Sequence, residues 1–325
     1  MLVLHARTGE SRGLLADLAT AAIAPDIVWI DLLTPTPGET AFVERATGLH
    51  LPDFAALSEI ETSSRLREEN GVLYLSAPAV HRATTDDPQT TPVGFVLTPE
   101  RLVTVRFEPL TAFDTFGQVA RGNVSEVFTG LIEAIVDRIA DVLEHIATEL
   151  DRLSHRLFRT GRIEGGNHRR PARAAADLRV ILRRVGASGD LVSRMRDSLL
   201  GLGRIVPFVA GAGVAWLPET VIRRLETMRH DIASLSDYDT HLVNKVQLLL
   251  DATLGLINVE QNDIIKVLTI VSVVGVPPTL VASLYGMNFK DMPELSWAWG
   301  YPFGLALIAV SAVAPLLWFK WRGWF

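Results

Sequence analysis

Two apolar runs near the C-terminal end limit what this chain can fold into: 18 residues from Val267 to Leu284, and 19 from Tyr301 to Phe319. Each approaches the ~20 helical residues that a ~30 Å hydrocarbon core requires. Two buried helices of a soluble protein are the alternative, and the flanking residues argue against it. Tyr285, Trp297, Trp299 and Tyr301 stand at one end of the pair and Trp318, Trp321 and Trp324 at the other, placed like the aromatic belts of a membrane hairpin. Lys320 and Arg322 follow the second run, whereas the 289–300 loop sets a single lysine against Asp291 and Glu294. The excess of positive charge on the inner side then predicts cytoplasmic termini and an outer loop.

The rest of the 325 residues are mixed in character. A hydrophobic share of 48% beside 21% charged residues implies one soluble part and one part in lipid. A net charge of -6 argues against nucleic-acid binding, and the absence of cysteine removes disulfides and thiolate metal sites. The first residues, with His5, Arg7 and Glu10 among them, lack the apolar core of a signal peptide, so the first domain is expected in the cytoplasm.

In the N-terminal third, Ile27 to Leu32, Val72 to Ser76, Gly94 to Thr98 and Leu102 to Arg106 read as strands, the last two as a hairpin. Thr36-Pro37-Gly38-Glu39 reads as a helix start, with Thr36 capping and Glu39 in the capping-box position. From Val124 the apolar residues recur at three- and four-residue steps to Leu157. Gly165-Gly166-Asn167 breaks this helix, and a second follows from about Pro171 to Leu202, making an antiparallel hairpin at about 124–202. Gly201 to Trp216 reads as an apolar loop. After Pro218 no Gly or Pro occurs before Gly255, so one helix can run from Pro218 to Leu284, ~100 Å at 1.5 Å per residue.

Inside the first apolar run, Gly275, Pro277 and Pro278 predict a bend or hinge. Thr269, Ser272 and Thr279 fall at three- and seven-residue steps, and seven residues upstream of Thr269 is Asn262. Spacing leaves two readings open: hydroxyls bonded back to their own helix, or a sparse polar line facing an aqueous pore.

Tyr285-Gly286-Met287-Asn288-Phe289 followed by Met292-Pro293-Glu294-Leu295 resembles the signature of the CorA divalent-cation transporter family. Lys266-Val267-Leu268-Thr269-Ile270, Trp299-Gly300-Tyr301-Pro302, Phe319-Lys320-Trp321-Arg322-Gly323-Trp324, Trp29-Ile30-Asp31-Leu32 and the hairpin Leu97 to Val105 are similar to the family as well. The resemblance implies a funnel-shaped homopentamer in the prokaryotic inner membrane that conducts Mg²⁺, with Co²⁺ and Ni²⁺, and needs no organic cofactor. Its parts would be an α/β/α cytoplasmic domain (1–217), a stalk helix (218–263) and a transmembrane hairpin (264–325). The hairpin divides into a first span at 266–285, an outer loop at 286–300, a second span at 301–319 and a tail at 320–325. Its partners would be copies of itself, membrane lipids and divalent cations.

The same resemblance implies a selectivity ring of Gly286, Met287 and Asn288. It puts Asn262 and Thr279 on polar pore-facing positions and Asp251 on an acidic position at the cytoplasmic end. Magnesium gives up its inner waters reluctantly, which suits a neutral ring that binds the hydrated ion through water. Asp291 and Glu294 either concentrate cations at the mouth or are ordinary loop charges. Family members of the magnesium type close when cytosolic Mg²⁺ bridges carboxylates of neighbouring subunits near the top of the stalk helix. The aligned position here is close to Thr227, with Glu226 and Asp231 as the nearest acids. Weak feedback would resemble the ZntB branch, which carries Zn²⁺. His230 and His241, ~16 Å apart along a helix, cannot share an ion within one chain. With no P-loop, no Ser/His/Asp grouping and no catalytic carboxylate pair, an enzyme is not expected, and a metal sensor without transport is the distant alternative.

Overall fold

Seven strands among the described residues pair into one mixed sheet: β1 (Leu2–Ala6), β2 (Ser11–Gly13), β3 (Ile27–Leu33), β4 (Leu66–Glu69), β5 (Val72–His81), β6 (Gln89–Leu97) and β7 (Leu102–Arg106). Their order across the sheet is β2-β1-β3-β7-β6-β5-β4, and β3 and β7 form its parallel pair. The computed structural model describes residues 1–13, 22–85, 87–160, 171–287 and 292–324. The predicted break at Gly165-Gly166-Asn167 lies outside them. Two units emerge, Met1–Arg159 with Ile181–Leu250, and Thr160–Val180 with Asp251–Phe325.

The period of two along β3 builds both faces of the sheet in the first unit. Ile30 and Leu32 join Leu4, Val96, Val103 and Val105 beneath Phe42 and Val43 of α1 (Pro37–Thr47) and Leu57 of α2 (Phe54–Ser58). The capping box is present: Thr36 Oγ1 accepts from Glu39 N–H at 3.3 Å, and the Glu39 carboxylate accepts from Thr36 N–H at 2.8 Å. A short helix, α3 (Thr62–Arg65), leads into the edge strand β4. Trp29 and Asp31 point to the other face. There the Trp29 ring meets Phe113 of α4 (Thr111–Gly117), and Phe95 meets Phe128 of α5 (Val124–Thr160) at 6.1 Å. The result is the expected α/β/α layering.

Asp31 has a structural task. Arg106 donates to its Oδ2 from both Nε and Nη2, at 3.2 and 2.8 Å, and Thr104 Oγ1 donates to Oδ1 at 2.7 Å while accepting from Trp29 Nε1. Asp31, Thr104 and Arg106 are all buried, and a buried charge is tolerable only when paired in this way.

Three long helices complete the first unit. Partners climb together on α5 and α7 (Glu219–Tyr285): Glu133 with Arg224, then Asp151 with Lys245 at 2.8 Å, so these two run parallel. α6 (Pro171–Ala212) runs against both, with Arg184 on Glu149 at 3.1 Å and Arg196 on Asp239 at 2.8 Å.

The predicted loop at Gly201 to Trp216 is a correction: α6 continues through it to Ala212 and is followed by a short 3₁₀ turn, Gly213–Ala215. The glycine that reads as a breaker is there for close approach. A Cβ on Gly201 would lie 2.8 Å from Ala77 Cβ, 3.1 Å from Pro78 Cδ and 3.3 Å from Ala77 Cα of β5. Ile205, Val206 and Val209 beyond it are buried and hold the helix down. Gly201→Ala is therefore expected to lower unfolding stability by about 1–3 kcal/mol, the usual cost of overpacking against atoms that cannot rotate away; chemical denaturation reads it.

In the second unit, α7 continues without interruption from Asp251 through Gly275, Pro277 and Pro278 to Tyr285, and α8 spans Gly300–Trp321. Each holds an 18-residue window of mean hydropathy 2.0, with none of the α7 window and 6% of the α8 window buried, so both are long and apolar enough to cross a membrane. The end of α8 closes on itself. Gly323 is left-handed at φ 73, Trp324 N–H donates to Phe319 O at 3.1 Å, and the Phe319 and Trp324 rings lie 5.0 Å apart.

Candidate ion pathway

At about 100° per residue, α7 assigns each predicted side chain a direction. Asp251, Asn262 and Thr269 fall within about 20° of one line along the helix; Ser272 lies about 60° and Thr279 about 80° from Thr269, both to the same side. Asp251, Asn262, Ser272 and Thr279 are exposed and Thr269 half-buried. By contrast Thr253, on the far side of the helix from Asp251, is fully buried. Beyond it Val267 and Val271, on the same side as Thr253, are exposed like the polar line itself, as expected of a helix surface that meets lipid or other copies.

The two readings of the hydroxyls turn out to be compatible. Thr269 Oγ1 donates to Ile265 O at 2.8 Å, and Thr279 Oγ1 donates to Gly275 O at 2.5 Å and Val276 O at 3.1 Å. A hydroxyl whose proton is committed to its own helix keeps its lone pairs as acceptors. Acceptors are what the outer hydrogens of a hydrated cation need.

Gly286 and Met287 extend the last turn of α7, their amides donating to Ala282 O at 3.0 Å and Leu284 O at 3.3 Å. Asn288 and Asp291 lie outside the described residues. Glu294 falls in the 3₁₀ turn Pro293–Ser296 with only its backbone described.

One residue of the polar line was not anticipated. Asn258 stands four residues before Asn262, within about 40° of it and of Asp251, and is exposed. Counting by sevens from Thr269 skips it; counting by fours would have found it.

Within one chain the candidate sensor residues Glu226 and Asp231 do not converge on a shared ion. Glu226 and Asp231 are about 140° apart around α7. Asp231 instead joins α5: burial, then the charges of Glu133, Asp141 and Asp231, hold the Asp137 carboxyl above its usual range. His230 and His241 are exposed, and among the described residues no three or more His, Asp or Glu side chains are grouped to hold a metal ion.

Residues 25–321 match the family model described as CorA-like Mg2+ transporter protein. The chain belongs to this family. CorA magnesium transport proteins of Yersinia pseudotuberculosis and Escherichia coli K12 are 33% and 34% identical to it over 303 residues, 91% of this chain and 92% of each relative. Among solved structures, the complete CorA magnesium transporter of Methanocaldococcus jannaschii superimposes with a TM-score of 0.74 at 18% identity, covering 100% of this chain and 99% of that one. The full-length CmaX protein gives 0.63 at 20% identity over 99% and 96%. At those identities the structural likeness speaks for the fold alone. It matches the mixed sheet, the long helix and the second C-terminal helix described above. As a CorA-like chain, the molecule is a divalent-cation transporter of the membrane and not an enzyme.

Proposed function

We propose that the chain assembles as a homopentamer in the inner membrane and passes hydrated Mg²⁺ along the open polar face of α7, with Co²⁺ and Ni²⁺ as further cargo. The observation that carries the proposal is the continuity of α7, one 67-residue helix with Asp251, Asn258, Asn262 and Thr269 along one line, after which the sequence continues with Gly286-Met287-Asn288. A single helix cannot enclose an ion, so copies must converge on it. Gly286, Met287 and Asn288 form the outer selectivity ring, neutral and water-mediated, which favours binding weak enough for release. Asp291 and Glu294 draw cations to the mouth.

Ser272 and Thr279 continue the path, and Gly275 and Pro277 act as the hinge, since Pro277 and Pro278 leave the carbonyls of Val273 and Val274 without their helical donors. Residues 1–217 are the cytoplasmic domain, 218–263 the stalk and 264–325 the membrane hairpin, with both termini inside. Two charges gain ~4.6 kcal/mol per 100 mV, so no nucleotide is required.

Zinc is the second cargo to weigh. The position the resemblance gives to a regulatory carboxylate is close to Thr227, which cannot supply one, and this favours weak Mg²⁺ feedback of the zinc-carrying type unless Glu226 and Asp231 serve in its place. Uptake by proteoliposomes separates the two readings, with Mg²⁺, Co²⁺, Ni²⁺ and Zn²⁺ compared with and without a pH gradient. The magnesium reading expects Mg²⁺ uptake that internal Mg²⁺ suppresses, and suppression lost in the Glu226→Ala, Asp231→Ala double variant. Uptake restricted to Zn²⁺ would overturn it.

A further inference from the structure

The first unit contains a cavity that the ion pathway does not use. It measures about 60 Å³, lies where the end of β5 meets α4, α5 and α6, and has largely apolar walls that include Phe113, Ile139 and Met195. At ~10–15 Å³ per water, it has room for about four to six waters, or one organic molecule of similar size.

Its polar lining is rich in donors. The His81 side chain is only 4% exposed, yet neither ring nitrogen makes a hydrogen bond to a described residue. Its nearest charge is Glu108 Oε2, 3.8 Å from Nδ1 and beyond hydrogen-bond range, on a carboxylate that is itself solvent-exposed. Arg138 reaches the cavity from α5, half-buried and with no carboxylate partner among the described residues. Arg82 also lines it, in the left-handed region at φ 55, its carbonyl accepting from Thr85 N–H at 3.0 Å and Thr85 Oγ1 at 2.9 Å. The ring nitrogens of His81 and the guanidinium of Arg138 thus keep donor capacity on the cavity side, and a non-glycine residue held at positive φ commonly marks a functional turn.

We propose that this cavity binds a small carboxylate with a short alkyl body, two to four carbons long. The carboxylate oxygens accept from His81 and Arg138, with Arg82 adding positive charge, and the alkyl end lies against Phe113, Ile139 and Met195. The apolar walls select against inorganic phosphate, which would present oxygens to them in every direction. Because the cavity is walled by a strand and three helices of one unit, its occupant stabilises that unit by mass action.

The test uses the purified full-length protein in detergent, with butyrate, phosphate and chloride as probes. Butyrate is expected to raise the unfolding midpoint saturably, and saturation-transfer NMR should show its methyl protons in contact with the protein. Arg138→Gln should weaken half-saturation at least tenfold, and Ala79→Leu, which fills the cavity, should abolish the NMR contact. A butyrate effect that never saturates and is matched by chloride, an equal response to phosphate, or unchanged half-saturation in Arg138→Gln would each overturn the proposal.

Discussion

Replacing Asn288 by alanine is expected to cut divalent-cation uptake by at least tenfold while the assembled, folded protein is recovered in normal yield. A hydrogen bond to a water polarised by the cation, taken at the ~1.5–3 kcal/mol of a bond to a charged group, is a factor of about 10 to 150 in an equilibrium constant, and in the proposed ring every copy loses one. The motif follows the last turn of α7, where Gly286 and Met287 close the helix through backbone amides that an Asn288 substitution leaves alone. The effect should therefore appear in flux and not in unfolding temperature. Proteoliposome uptake combined with a thermal melt distinguishes the two; a variant that melts early and transports normally would mean that Asn288 holds the fold instead.

Arg196→Met is expected to produce the largest loss of stability in the helical part of the first unit. Asp239 is fully buried, and Arg196 Nε donates to its Oδ2 at 2.8 Å while Arg196 Nη2 donates to Thr240 Oγ1. The other oxygen, Oδ1, is buried without a partner among the described residues. Breaking a buried pair costs about 3–5 kcal/mol because a charge is stranded, and the partial exposure of Arg196 puts the expectation near 3.

Acidity should modulate the loss in a definite sense. Burial raises the Asp239 carboxyl above its ordinary value of 3.8, and the Arg196 hydrogen bond and charge pull it back. A folded-state pKa above the unfolded one means the stabilising contribution is fully present below that ordinary value and fades as pH rises through the raised one. Without Arg196 the pKa rises further, so the deficit of Arg196→Met should be greatest at neutral pH and shrink on acidification. The double variant Arg196→Met, Asp239→Leu should recover most of the stability. Urea denaturation at several pH values measures all three, and a pH-independent deficit would contradict the stranded-charge account.

Much of the fold could be read locally. Thr36, Pro37 and Glu39 specify a helix start through bonds made within four residues, and the apolar period of α5 needs nothing beyond its own neighbours. What escaped depended on distant partners. β1 carries His5 in a buried position because the ring stacks on Trp29 at 4.0 Å and meets Ser11 Oγ at 2.9 Å, none of which is visible in Leu-Val-Leu-His-Ala. β4, Leu-Arg-Glu-Glu, is a charged edge strand that exists because β5 lies beside it. α6 outlasted its glycines and Pro207 because Gly201 admits β5.

The candidate site divides in the same way. Asp251, Asn262 and Thr269 share a line that helical arithmetic alone exposes. That Asp231 approaches Asp137 follows only from the parallel alignment of α5 and α7, which the ion pairs of Glu133 with Arg224 and Asp151 with Lys245 reveal. The divergence of Glu226 from Asp231 has a consequence for regulation: these two acids cannot share an ion within one chain, so Mg²⁺ feedback through them would recruit acids from another helix or another copy.

On the proposed pathway hydrated Mg²⁺ crosses the membrane along α7, driven by the membrane potential. The most direct test is Mg²⁺ accumulation in nucleotide-free proteoliposomes under an imposed inside-negative potential, read by an enclosed indicator. Accumulation that rises with the potential in the native protein and is lost in Asn288→Ala is the predicted result. Mg²⁺ that binds to the protein while none accumulates inside would contradict it.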